Sequence, residues 1–113
     1  MNDIKLMNKA ADNIRILAAS MVEKAKSGHP GGAMGGADFV NVLFSEFLVY
    51  DPKNPAWEGR DRYFQDPGHM SPMLYSVLAL AGKFTIDELK EFRQWGSVTP
   101  GHPEVNVMRG IEN

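Results

Sequence analysis

All three histidines of this chain follow a glycine, and each sits in a loop that carries proline: Ser27-Gly28-His29-Pro30-Gly31, Pro67-Gly68-His69-Met70-Ser71-Pro72 and Pro100-Gly101-His102-Pro103-Glu104. Helices and strands rarely tolerate such strings, because glycine admits positive φ and proline fixes φ at about −65°. The loops therefore cut the chain into short elements and hold each imidazole on a stiffened turn. Three imidazoles on three rigid loops are the arrangement expected of a site.

What lies between the loops must form the core. A length of 113 residues allows one domain, and a chain of this size can bury roughly two-thirds of its unfolded surface. With 43% hydrophobic and 23% charged residues, it reads as a water-soluble globular chain. No uninterrupted apolar run approaches the ~20 residues that span a bilayer, so membrane insertion is not expected. Twelve basic against fourteen acidic residues give a net charge of −2, and the basic residues are scattered, which argues against a nucleic-acid or anionic-lipid partner. Cysteine is absent, so disulfides, thiolate nucleophiles and cysteine-type zinc sites are excluded. The opening Met1-Asn2-Asp3-Ile4-Lys5 has no apolar stretch with a cleavage motif, and a cytoplasmic location is the default.

The apolar pattern predicts about four helices, at most one short strand and a long carboxy-terminal loop. Ile4, Met7, Ala11, Ile14, Leu17, Ala18, Met21, Val22 and Ala25 recur at helical spacing over residues 4–26, with Gly28 as the stop. Residues 38–49 carry Phe39, Val40, Val42, Leu43, Phe44, Phe47 and Leu48 on nearly every side, which predicts a largely buried second helix. Arg62-Tyr63-Phe64-Gln65 is the one stretch resembling a strand. Ser71 is a candidate cap, with Pro72 at the first position of a third helix that Gly82 ends. Thr85-Ile86-Asp87-Glu88 has the form of a capping box and opens a fourth helix through about Trp95. From Gly96 to Asn113 no period remains, and so long a structureless end suggests a chain cut before its next element.

On residue types alone each histidine keeps two readings. His29 either makes a turn or faces a ligand beside Gly31, Gly32, Gly35 and Gly36, a glycine-rich helix entry suited to a phosphate or to tight packing. His69 either ends a strand or lies where open α/β folds place ligands. His102 beside Glu104 is either a solvated pair or an oriented acid–base group. Three imidazoles also suit zinc, and the spacing neither supports nor excludes it. The methionines and the two tryptophans are most simply core and loop packing.

Taken together, Lys26-Ser27-Gly28-His29-Pro30-Gly31 with Met34-Gly35 and Ala37-Asp38, Asn54-Pro55 with Trp57, Arg60-Asp61-Arg62, Gly68-His69, Phe92-Arg93-Gln94 and Thr99-Pro100-Gly101-His102-Pro103-Glu104 resemble the amino-terminal end of transketolases, from roughly residue 10 to the last. The resemblance implies an α/β parent fold and makes residues 1–113 part of its amino-terminal, thiamine diphosphate-binding domain. It implies a transferase that moves a two-carbon ketol unit between sugar phosphates, with thiamine diphosphate as electron sink and magnesium beside it. His29 would face cofactor and sugar, His69 the cofactor's diphosphate, and His102 the donor's C1 hydroxyl and carbonyl region. It further implies a homodimeric parent. Asp66-Pro67 stands where the family commonly has Ser-Asn, which implies altered loop chemistry. The chain ends before the family's Gly-Asp-Gly metal motif and lacks its activating glutamate, so no metal ligand is named and the chain alone is expected to be inactive. A related thiamine enzyme such as dihydroxyacetone synthase, or a non-catalytic helical interaction module, are the other readings.

Overall fold

The computed structural model describes residues 2–113. It is mostly helical, as the apolar pattern predicts. Helix α1 (Ile4–Ala25) starts where the Asp3 carboxylate accepts the Lys5 N–H at 2.7 Å, a side-chain cap for an otherwise unpaired donor. Its buried stripe is Ala11, Ile14, Ala18 and Met21. The expected stop at Gly28 falls two residues earlier: Lys26 takes the left-handed conformation, at φ 52°, and closes the helix.

The glycine-rich entry is itself helical, which raises the α-helices among the described residues to five. Pro30 opens α2 (Pro30–Gly35), whose fixed φ suits a first helical position. After a break at Gly36 the chain continues as α3 (Ala37–Val42) and then widens into a π-type turn over Leu43–Phe47. The Leu48 N–H reaches back to the Leu43 carbonyl at 2.8 Å in that turn. The expectation of a largely buried helix over 38–49 fails on one side. Val40 and Phe44 are buried, whereas Phe39, Val42 and Phe47 are exposed, because only one side of this segment meets the core.

Helix α4 (Ser71–Leu80) is the centre of the molecule and is buried without a break from Ser71 to Leu78. Ser71 does not cap it: a 3₁₀ turn over Gly68–Met70 leads straight into the helix, and the hydroxyl is used elsewhere. Gly82, at φ +83°, ends the segment. Gly32 and Gly36, one turn apart, let α2 approach it closely. A Cβ at Gly32 would stand 2.9 Å from Met70 Cγ, and one at Gly36 only 2.6 Å from Met73 Sδ. A Cβ at Gly31 or Gly35 would meet nothing within 4 Å. Tight packing thus accounts for half of this glycine run.

The capping box at Thr85 forms as predicted: Thr85 Oγ1 accepts the Glu88 N–H at 3.1 Å and Glu88 Oε1 accepts the Thr85 N–H at 2.9 Å. Helix α5 (Ile86–Lys90) nevertheless ends well short of Trp95. Arg93 turns the chain with φ 62°. Arg62–Gln65 forms no strand: it has no regular secondary structure and pairs with no strand among the described residues. The Asn113 side-chain amide stands in for a strand, accepting the Gln65 N–H at 3.1 Å and donating to its carbonyl at 3.0 Å.

The segment from Gly96 to Asn113 has little regular structure but is firmly attached. It holds one 3₁₀ turn, Val107–Arg109, and a bridge between Asn106 and Ile111. Ile111 enters the core. Arg60 and Glu112 form a two-pronged ion pair at 2.7 and 3.2 Å, each side chain only 8% exposed.

Candidate functional site

The structure brings the three histidine loops to one place. The His29 and His69 rings lie 4.6 Å apart between centroids at an interplanar angle of 52°. The His102 ring lies against Gly68: a Cβ there would be 3.0 Å from His102 Nδ1 and 3.3 Å from its Cγ. The glycine before His69 therefore gives His102 its close seat, since a side chain there would require the ring to give way by a few tenths of an ångström. His29 and His102 are exposed and His69 is half-buried, so the cluster lines a surface and is not sealed in the core.

Each loop is fixed by a different means. The first leaves α1 at Lys26 and swings at Gly28, φ +124°, where the missing side chain makes room for Phe92 and Val22. His29 then precedes Pro30, with its backbone extended at φ −124° and ψ 107°. The second enters through Pro67, extended at φ −82° and ψ 151°, and turns at once into α4, placing His69 in the 3₁₀ turn just before it. The third is tied down from below by α4. The Ser71 hydroxyl donates to the Gly101 carbonyl and the Tyr75 hydroxyl to the Pro100 carbonyl, each at 2.6 Å. Burial and the nearby Glu104 charge push the Tyr75 phenol well above its ordinary range, which keeps it a neutral donor.

The loop is also held at its start. Thr99 is fully buried, its hydroxyl donating to the Glu88 carbonyl at 3.2 Å and its carbonyl accepting the Arg93 N–H at 3.0 Å. Ser71, Tyr75, Thr99 and Arg93 were not legible as site residues. Serine before proline reads as a helix cap, and tyrosine inside an apolar run reads as core. An open groove lined by Arg93, Trp95, Gly101 and Glu104 borders the third loop.

Imidazole N–H groups on a surface wall suit hydrogen bonds to oxyanions and hydroxyls. Zinc is a poorer match: among the described residues no group of three His, Cys, Asp or Glu side chains is placed to hold a metal.

Residues 6–113 match the family described as "Transketolase, thiamine diphosphate binding domain". The chain is 52% identical over 108 residues to the transketolase of Buchnera aphidicola, covering 95% of this chain and 16% of that protein. It is 50% identical over 103 residues to transketolase 1 of Escherichia coli, covering 90% of this chain and 16% of the other. The crystal structure of the Campylobacter jejuni transketolase superposes with a TM-score of 0.90 at 46% identity, over 97% of this chain and 17% of that one. The Pichia stipitis transketolase in complex with sedoheptulose-7-phosphate gives a TM-score of 0.88 at 42% identity, over 93% and 16%. This chain belongs to the transketolase family, and it spans about one-sixth of the length of these relatives.

Proposed function

We propose that this chain supplies one wall of a ketol-transferring active site that uses thiamine diphosphate. The convergence of His29, His69 and His102 on one exposed face carries the reading. The family match to a thiamine diphosphate-binding domain supports the cofactor, and the sugar phosphate bound to the Pichia relative supports the substrate class.

The residues fit the group. His69, half-buried at the mouth of α4, has an N–H to offer a diphosphate oxygen. The exposed His29 and His102 flank it from two other loops, each able to donate to a hydroxyl or carbonyl oxygen of a ketose, or to exchange a proton with it. Thiamine diphosphate, when bound, supplies the electron sink for breaking the carbon–carbon bond. The chain's own share is orientation. The loop fixed by Ser71, Tyr75 and Thr99 holds the His102 imidazole in place before substrate arrives, which removes ordering from the reaction step. Magnesium, a second copy of the enzyme and the rest of the pocket complete the proposal, with cytoplasmic pentose phosphate chemistry as its setting.

The test is a coupled assay with a ketose donor and an aldose acceptor, thiamine diphosphate and magnesium. The full-length enzyme carrying this segment is expected to turn over. His29→Ala and His102→Ala are expected to lose about 100-fold or more in kcat/KM, within the 10²–10⁴-fold range of general acid–base groups. Residues 1–113 alone are expected to show no turnover. Two histidine variants as active as the parent would sink the reading.

A further inference from the structure

We propose that Arg93 is a positioning residue that clamps the His29 loop to the His102 loop. This rests on the reading that both histidines serve one reaction. Four observations place it between them. Its Nη1 donates to Ser27 Oγ at 3.2 Å, two residues before His29. Its backbone N–H donates to the Thr99 carbonyl at 3.0 Å, three residues before His102. A Cβ at Gly101 would stand 2.9 Å from both Arg93 Cζ and Nε, and one at Gly28 would be 3.5 Å from Nε. The glycine preceding each of these two histidines is therefore the surface on which the guanidinium lies. Phe92, buried beneath, completes the seat, its ring centroid 5.6 Å from Arg93 Cζ.

The arrangement carries local costs of the kind found at functional sites. Arg93 holds a left-handed backbone, φ 62°, although it is not glycine. Its Nε is buried without a hydrogen-bond partner. A core-packing or solubilising arginine needs neither feature, since either role is met by an aliphatic stem in an ordinary helical conformation. The flat guanidinium instead fits a slot between two glycine backbones that a tetrahedral ammonium would fill poorly.

The experiment uses the full-length enzyme proposed above and reads two quantities, turnover and hydrogen exchange. Arg93→Ala is expected to lose about 10- to 100-fold in kcat/KM, the scale of a small misplacement of catalytic groups. Peptides spanning 26–31 and 99–104 should exchange faster, with α1 and α4 unchanged. Guanidinium at low millimolar concentration should restore part of the Arg93→Ala rate and none of the His102→Ala rate. Gly101→Ala should lower the rate with Arg93 present and add nothing to Arg93→Ala. If Arg93→Ala fails to fold, Arg93→Lys decides: it should fold and still lose at least tenfold. Wild-type kcat/KM in either Arg93 variant, or additive losses in the Gly101 pair, would overturn the assignment. A parent enzyme without ketol transfer would instead overturn the proposed function. The exchange of the two loops would then still accept or reject the clamp.

Discussion

Helix α4 and the segment formed by α3 and its π-type turn are both apolar on nearly every side, yet Ser71–Leu78 are buried while Phe39 and Phe47 stand 64% and 72% exposed. The difference lies in neighbours. Helices α1, α2, α3 and α5 all pack against α4, whereas α3 meets the body of the molecule on one side. Apolarity states that a face gains by being covered, and topology decides whether the same chain covers it. The pairing also bears on the placement of the site, since the His69 loop leads straight into the covered helix and the His102 loop is hydrogen-bonded to it.

The sharpest way to break this comparison is to truncate one side chain in each segment. Leu74→Ala should cost the 113-residue chain about 2–5 kcal/mol, as cavities in packed cores do. Phe39→Ala should stay within about 0.5 kcal/mol. Urea midpoints of the two variants measure it, and equal shifts would show that α3 has a covering partner in solution. Removing the Tyr75 hydroxyl comes next. Tyr75→Phe leaves the Pro100 carbonyl without its 2.6 Å donor, which should cost about 1–3 kcal/mol. Faster amide exchange over 99–104, with α1 unaffected, would tie that loss to the histidine loop.

The smallest effect depends on pH. The Glu88 carboxyl is held below its ordinary range, first by its hydrogen bond with Arg109 and then by the Thr85 N–H. A carboxylate with a lowered folded-state pKa stabilises fully above its unfolded value of about 4.3, and that contribution is lost as pH falls through the lower folded value. The thermal midpoint should therefore fall more between pH 6 and pH 3 in the parent than in Glu88→Gln. Parallel curves would remove Glu88 from the account.

Much of this architecture could be read from residue order. The stripe of α1 survives because its period is local, and the Thr85 capping box because four adjacent residues suffice to make it. Readings that depended on distant partners fared differently. Ser71 has the composition of a cap but bonds Gly101, thirty residues away. Trp95 was expected to end a helix that Arg93 had already turned, and a left-handed arginine leaves no trace in a periodic pattern. Arg62–Gln65 has a strand's composition without a strand to pair with among the described residues. The histidines were legible as a set because glycine and proline mark their loops, while the contact of His102 with Gly68 depends on how α4 brings two loops together.

The two kinds of glycine in and just after α2 offer a probe of what a longer relative holds in that place. Gly32 and Gly36 are filled from within this chain by Met70 and Met73, whereas Gly31 and Gly35 look onto open space. Replacing either open glycine with alanine should leave the 113-residue chain as stable as before or up to about 1 kcal/mol more so, since alanine is the better helix former. In the full-length enzyme the same methyl group becomes a ruler. Tolerance there would mark an empty side, and a loss of activity or stability would locate an unseen neighbour to within the width of a single carbon.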